Sequence, residues 1–232
     1  NIIGVTGTKG KGTTSALITN MLEATGHTAH LGGNIGLPPL SFLSELDENA
    51  WVVLELSSFQ LVDLQTSPHI GVCVMVVPEH KDWHTDMEGY TAAKSQLFAH
   101  QNEDDVAIYF ADNETSKQIA SASKGHKIPY FQKPGARVEH DVVKIDGQAI
   151  CNISELRLLG NHNWQNVCAA LTTVWQITQD VERIRDVLTH FTGLPNRIEF
   201  VCNVNGIDYY NDSFSSGLHS TIAAIEAIKP KK

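Results

Sequence analysis

The chain has few of the features that mark secreted, membrane-spanning or nucleic-acid-binding proteins. Its four cysteines are scattered with no C-x-x-C pair, which indicates free thiols rather than a disulfide framework. No run of about 18 apolar residues is present, so no membrane span is predicted. Acidic residues outnumber basic ones by 26 to 17, and the net charge of −9 disfavours non-specific binding to nucleic acid.

Free thiols are also typical of a reducing compartment, so we expect a cytoplasmic protein. The first residues predict a strand rather than the basic and then apolar leader of a secreted chain. We expect the 232 residues to be part of a longer protein, because they start directly on a strand and stop just after a predicted helix. We further expect a monomer.

Short apolar runs alternate with segments of helical periodicity along most of the chain. Apolar runs predict strands at 2–5, 51–56, 69–77 and 106–111. Because these strands are nearly continuously apolar and alternate with helices, we predict an α/β fold with a mostly parallel central sheet and helices on both faces. In such sheets ligands bind at the carboxyl ends of the strands.

Turn signals predict three further local features. Pro38-Pro39 predicts the start of a helix that ends near Leu46. Asp146-Gly147 and Asn205-Gly206 lie between apolar runs and predict two hairpins.

A glycine-rich turn lies between the first predicted strand and the first predicted helix. It reads Gly7-Thr8-Lys9-Gly10-Lys11-Gly12 and is followed by Thr13 and Thr14. The N–H groups of such a turn converge on an anion, the helix N-terminus adds its positive dipole end, and a lysine reaches the outer phosphates. The loop is shorter than the usual P-loop, since Val5 stands where its first glycine would fall. It predicts a nucleotide-phosphate site at residues 7–14, the alternative being a structural connector.

Glu55 stands near the end of an otherwise apolar strand. A buried lone carboxylate is costly unless it is paired or bound to a metal. With the phosphate loop upstream, Glu55 is predicted to bind the magnesium ion of a nucleotide. The alternative is a solvent-facing residue on an edge strand.

Spacing alone gives no single role to four further polar residues. His80, in an acid- and histidine-rich segment, either binds a second metal or lies in an ordinary polar loop. Lys94 reads as a surface lysine of a helix, and Asn166 as a residue near a helix cap. Arg197 either binds a phosphate or pairs with Glu199.

Taken together, these motifs resemble those of the Mur ligases and their relatives, the folylpolyglutamate synthases. The string Glu-Leu-Ser-Ser-Phe-Gln-Leu at 55–61 is most similar to the members that add D-glutamate. Matching segments occur in family order along the whole chain: 7–11, 33–36, 55–61, 80–84, 90–94, 160–166, 194–199 and 210–213.

The resemblance implies an ATP-dependent ligase with Mg²⁺ that joins an amino acid to a carboxylate of a UDP-muramoyl substrate through an acyl phosphate. It implies that residues 1–196 form the central ATP-binding domain of a three-domain protein. Residues 197–232 would begin the C-terminal dinucleotide-fold domain, and the N-terminal UDP-binding domain would be absent.

The resemblance also implies roles for individual residues. Nucleotide contacts are implied for residues 7–14 and for Asn166, Arg197 and Asp212, the last at the ribose. Catalytic roles are implied for Lys11, Glu55, His80 and Lys94. Metal ligands are implied to be Thr13, Glu55, His80 and a carbamylated Lys94. Contacts with the muramoyl substrate are implied for Asn34, Ser57 and Gln60.

Two departures from the family pattern bear on these roles. Gly12 stands where most Mur ligases have the Ser or Thr that binds magnesium, so that role moves to Thr13. Phe214 stands where many D-glutamate-adding enzymes have a lysine that contacts the amino acid. Gly-Lys-Gly-Thr resembles the folylpolyglutamate synthases, which are therefore the alternative. A second alternative is a nucleotide-binding module without turnover.

Overall fold

The computed structural model describes residues 1–77, 86–158, 160–215 and 218–228. A six-stranded sheet forms its centre. The strands are β1 (Ile2–Thr6), β2 (Ala29–Gly33), β3 (Trp51–Glu55), β4 (Ile70–Cys73), β5 (Val106–Phe110) and β6 (His126–Tyr130). Their spatial order is β2-β3-β1-β4-β5-β6, and every neighbouring pair is parallel. The predicted parallel sheet is confirmed.

Helices cover both faces of this sheet, as predicted. The helices between and after its strands are α1 (Lys11–Ala24), α2 (Ser58–Leu61), α3 (Met87–Ala99), α4 (Glu114–Ala120), α5 (Asn161–Val174) and α6 (Val181–His190). One apolar core contains side chains of α1, α5 and α6, and a second contains side chains of α2, α3 and α4. Adjacent strand residues alternate between the two, with Ile108 in the first and Ala107 in the second.

Close packing of α3 against the sheet uses two glycines. A Cβ at Gly4 would lie 2.7 Å from Leu97, and one at Gly71 would lie 2.6 Å from Phe98. Only a residue without a side chain permits this approach, which brings the buried face of α3 onto β1 and β4.

A small antiparallel sheet and a terminal hairpin follow the central sheet along the chain. The small sheet, β7 (Arg137–Glu139), β8 (Val142–Ile145) and β9 (Gln148–Asn152), packs against α5 and α6. The hairpin consists of β10 (Glu199–Val204) and β11 (Ile207–Asn211), and α7 (Leu218–Ile228) follows it. Both predicted hairpin turns are confirmed, since Asp146, Gly147, Asn205 and Gly206 all have positive φ.

The helix predicted over residues 38–46 is wrong. Two separate 3₁₀ turns, Pro39–Ser41 and Leu43–Glu45, occupy this stretch instead. Phe42 is buried, but Leu40 is 84% exposed and Leu43 is 59% exposed, so one buried side chain rather than a continuous apolar face holds this segment, which is too little to stabilise a longer helix. Within the described ranges, no helix is long and apolar enough to cross a membrane.

Candidate functional site

The glycine-rich loop lies at the carboxyl edge of the sheet, between β1 and α1. It is anchored to the segment that follows β4, because the Thr8 amide donates to the Met75 carbonyl at 2.7 Å and the Thr8 hydroxyl to the Val77 carbonyl at 3.0 Å. Gly10 is the N-cap of α1 at φ 95°, and no side chain in the described residues caps the helix. The N–H groups in the first turn of a helix have no partners within the helix, so a helix start of this kind favours an anion.

The first turn of α1 places lysine and threonine side chains around the loop. The Lys11 ammonium group folds over it and donates to the Thr8 carbonyl at 3.2 Å. Thr13 and Thr14 are buried. The Thr14 hydroxyl oxygen has no hydrogen-bond partner among the described residues, so this buried polar group lacks the satisfaction that such groups normally have.

Asn166, from the N-terminal half of α5, lies directly against the loop. A Cβ at Gly10 would be 2.1 Å from the Asn166 Oδ1 atom. The Asn166 amide nitrogen donates to Asn163 Oδ1 at 2.9 Å, and both side chains are buried. The fold thus brings Asn166 to the phosphate loop, whereas its spacing alone indicated only a residue near a helix cap.

Glu55 ends β3 beside the loop and is buried, with 4% of its surface exposed. Its Oε1 atom accepts a hydrogen bond from the Asn34 amide at 3.0 Å. Its Oε2 atom would lie 3.1 Å from a Cβ at Gly12, so this oxygen faces the first turn of α1. In the part of the chain that the structure describes, no cation pairs with this carboxylate. Because Glu55 is buried and β3 lies between β2 and β1, the alternative of a solvent-facing residue on an edge strand is wrong.

The Glu55 carboxylate and the threonine hydroxyls in the first turn of α1 fit a hard divalent cation, which prefers carboxylate, hydroxyl and water ligands. The buried Glu55 carboxylate is the observation that favours it, because an ionised group in this place needs a compensating charge. The position that faces Glu55 directly is 12 rather than 13. Successive residues of a helix project about 100° apart, so Thr13 projects in a different direction from Gly12. That the Thr13 hydroxyl binds the metal ion therefore stays a prediction.

Lys94 is not the surface residue that its spacing alone indicated, because only 1% of it is exposed. Its ammonium group donates to the Gly7 carbonyl at 3.0 Å and to the Thr6 hydroxyl at 3.3 Å. It also lies 4.6 Å from the centroid of the Tyr90 ring. Lys94 therefore contacts the first residue of the phosphate loop, and its carbamylation stays a prediction.

His162, near the start of α5, lies close enough to Arg197 and to Lys9 of the loop to be affected by their charges. Burial lowers the pKa of His162 below its usual value, and the nearby charges of Arg197 and Lys9 lower it further. The Arg197 guanidinium stacks 5.0 Å from the centroid of the Phe214 ring. The ion pair between Arg197 and Glu199 that was the alternative does not form in the described residues. Asp212 accepts a hydrogen bond from the Ile198 amide at 3.0 Å.

The three residues expected along the substrate lie at the same edge of the sheet, after β2 and β3. The Asn34 amide binds Glu55, while Ser57 and Gln60 form the capping box of α2. In that box the Ser57 amide donates to the Gln60 side-chain oxygen at 2.9 Å. Their contacts with a substrate stay predictions.

His80 lies outside the described residues, so its predicted metal role is not placed. Within the described part of the chain, no group of three or more His, Cys, Asp or Glu side chains is arranged to hold a metal ion.

Sequence reasoning gave no role to Tyr90, which joins two parts of the site. Its hydroxyl lies 3.0 Å from the Thr8 hydroxyl, and its ring lies beneath the Lys94 ammonium. The spacing of Tyr90 and Lys94 could have indicated that they lie together, because residues four apart in a helix share a face.

Comparison with known proteins places this geometry in a family context. Residues 5–174 match the model of the Mur ligase middle domain. A UDP-N-acetylmuramoylalanine–D-glutamate ligase of Acetivibrio thermocellus is 40% identical over 238 residues, covering 99% of this chain and 51% of that protein. A similar enzyme of Clostridium kluyveri is 38% identical over 98% of this chain and 50% of that protein. The chain thus spans about half the length of the curated relatives it matches.

A solved structure of MurF from Acinetobacter baumannii also shares the fold. It has a TM-score of 0.83 at 20% sequence identity, and the match covers 100% of this chain and 55% of that one.

Proposed function

Because the chain belongs to the Mur ligase family, we propose that it is the ATP-binding part of a ligase that adds D-glutamate to UDP-N-acetylmuramoyl-L-alanine. The observation that carries this proposal is the approach of Lys11, Asn166 and Glu55 to one glycine loop. The names of the sequence relatives support D-glutamate as the amino acid. We also propose a cytoplasmic location, where ATP and UDP-linked precursors are made.

The proposed reaction has two steps. The carboxylate of the muramoyl substrate attacks the γ-phosphorus of ATP, which forms an acyl phosphate and releases ADP. The amine of D-glutamate then attacks the acyl carbon, loses a proton, and phosphate leaves from the tetrahedral intermediate. Bound Mg²⁺ would supply charge neutralisation at the phosphates.

The chain's own residues would bind and orient the phosphates. The Gly7–Gly10 loop and the first turn of α1 present N–H groups to them, and Lys11 moves from the Thr8 carbonyl onto the outer phosphates. Glu55 and Thr13 would hold Mg²⁺, supplemented by His80 and a carbamylated Lys94. Arg197 and Asp212 would contact the nucleotide, the latter at the ribose. Asn34, Ser57 and Gln60 would line the path of the muramoyl group.

Domain organisation follows from the same proposal. Residues 1–196 would be the central domain, and residues 197–232 the first segment of the C-terminal domain. The exposed apolar residues of the terminal hairpin, such as Phe200 and Ile207, are consistent with a surface that belongs to a further unit.

Nucleotide binding by the chain itself is the first test. We expect calorimetry to detect Mg²⁺-dependent ATP binding, and Lys11→Ala to weaken it strongly. The exposed Lys117 of α4 provides a matched control, since Lys117→Ala removes an equal charge from a remote helix. Absence of ATP binding, or equal binding by the Lys11 variant, would count against the proposal. The chain alone is expected to form no muramoyl dipeptide, and detection of that product would overturn this expectation.

Folylpolyglutamate synthesis is the second candidate, and the glycine at position 12 is the observation that favours it. ATP hydrolysis by the whole protein separates the two. Stimulation by UDP-N-acetylmuramoyl-L-alanine with D-glutamate supports the wall ligase, while stimulation by a folate with L-glutamate supports the alternative. Nucleotide binding that no acceptor converts into turnover supports a binding module.

A further inference from the structure

The linker that follows α6 packs onto the phosphate loop at Gly12. A Cβ on Gly12 would lie 3.0 Å from Leu194 Cδ1 and 3.3 Å from Ile35 Cδ1. Both distances are shorter than ordinary van der Waals contact, so a side chain at position 12 would push against its neighbours. Glycine is a costly residue in a helix, by about 1 kcal/mol relative to alanine in the interior. The close approach of Leu194 is a structural reason for a glycine at this position.

Leu194 is also the first residue of the turn that places Arg197. The Arg197 amide donates to the Leu194 carbonyl at 3.3 Å, which closes the turn. The segment after the β10–β11 hairpin holds the turn as well, because the Phe214 amide donates to the Asn196 carbonyl at 3.0 Å. The Arg197 guanidinium then lies over the Phe214 ring.

The position of Arg197 therefore depends on two anchors, one on each side of the turn. Phe214 provides the anchor in the C-terminal segment. Leu194 provides the anchor on the phosphate loop, through its contact with Gly12. Arg197 itself is exposed and takes its orientation from these supports.

We infer that Leu194 is a positioning residue, which holds the linker on Gly12 and thereby aims Arg197 at the nucleotide phosphates. This inference rests on the proposed nucleotide site. It accounts for the glycine at position 12, since a larger residue there and a leucine at position 194 compete for the same space.

A double-mutant cycle on the chain tests the inference, with Mg–ADP affinity measured by calorimetry. Leu194→Ala is expected to reduce the association constant roughly three- to tenfold, whereas Leu194→Met, which preserves volume, is expected to retain it. Gly12→Ala is expected to reduce it as well. The loss in the double variant is expected to be smaller than the product of the two single losses, because truncating Leu194 makes room for the new methyl group. Independent losses would overturn the inference.

Hydrogen exchange of the unliganded chain provides a readout that does not need the nucleotide. Leu194→Ala is expected to speed amide exchange at residues 196–198, because the turn loses its anchor on the loop. Leu64→Ala is the matched control, since Leu64 is a half-buried leucine packed against the second core. Unchanged exchange in the Leu194 variant would overturn the inference. Failure of the wild type to bind Mg–ADP would instead count against the proposed function, while the exchange result would still test the anchor.

Discussion

The side-chain oxygen of Asn166 lies 2.1 Å from the point that a Cβ at Gly10 would occupy. No side chain can be added to Gly10 without displacing the asparagine that α5 brings to the phosphate loop. Gly10 also has φ 95°, which L-residues rarely adopt. Both effects act on the N-cap residue of α1, so we expect the nucleotide site to be very sensitive to a substitution at this position.

Gly10→Ala is expected to weaken Mg–ADP binding by at least about tenfold, since backbone strain of 1–3 kcal/mol adds to the clash with Asn166. Titration calorimetry measures the affinity. Gly206→Ala is the matched control, because Gly206 has φ 83° with no atom within 4 Å of its would-be Cβ. The control should lose about 1 kcal/mol of stability and no affinity. Normal binding by the Gly10 variant would show that Asn166 and the loop move apart easily.

Thr13→Ala tests the predicted magnesium hydroxyl. If Thr13 is a ligand, the enhancement of ADP binding by Mg²⁺ should fall by at least about tenfold. Thr19→Ala, in the same helix, is the control, since the Thr19 hydroxyl already donates to the Ser15 carbonyl at 3.0 Å. An unchanged Mg²⁺ effect would refute the assignment.

Tyr90→Phe removes the hydroxyl that contacts Thr8 and keeps the ring beneath Lys94. We expect the free energy of unfolding to fall by about 0.5–1.5 kcal/mol, because one buried hydrogen bond is lost while the Thr8 hydroxyl keeps its bond to the Val77 carbonyl. Urea denaturation measures this change. Tyr109→Phe is the control, as Tyr109 is half-buried against the same core. A Tyr90 variant as stable as the control would show that the Thr8 contact contributes nothing.

The lowered pKa of His162 predicts a pH dependence of nucleotide binding. In the folded chain, burial and the charges of Arg197 and Lys9 disfavour the protonated imidazole. Folding therefore releases a proton between the folded pKa and the unfolded value of about 6.5, and stability falls as the pH is lowered through that window. A bound polyphosphate would neutralise the positive neighbours and raise the pKa of His162.

We therefore expect Mg–ADP binding near pH 6 to take up protons. Calorimetry in buffers of different ionisation enthalpy measures the number of protons taken up. His162→Gln should abolish most of it, while His126→Gln, on the exposed end of β6, should not. Proton uptake that is equal in both variants would assign the effect to other groups.

Local patterns predicted much of the fold because their causes are local. Asn205-Gly206 and Asp146-Gly147 suit the positive φ values of tight hairpin turns. The helix predicted after Pro38-Pro39 was wrong, because a good start signal is not enough when Phe42 alone of the stretch is buried and Leu40 and Leu43 are exposed.

The sequence indicated the glycine loop and the buried acid beside it, whose roles stay predictions, and it did not indicate the residues that support them. Glu55 was recognisable because a single charge interrupts an apolar strand. Burial of Lys94 was not, since its environment depends on how closely Gly4 and Gly71 allow α3 to approach. The contact between Gly12 and Leu194 joins distant parts of the chain, and no spacing rule connects them.

The order of strands in the sheet has a consequence for synthesis. β1 is paired with β3 on one side and β4 on the other. When a ribosome makes this chain, β1 is synthesised before both of its partner strands. Its pairing in the sheet can be completed only after β4, which ends at Cys73, has been synthesised. The surroundings of the phosphate loop are completed later, because Lys94 and Asn166, which contact the loop, lie further along the chain. The phosphate loop is therefore made before the residues that surround it in the folded chain.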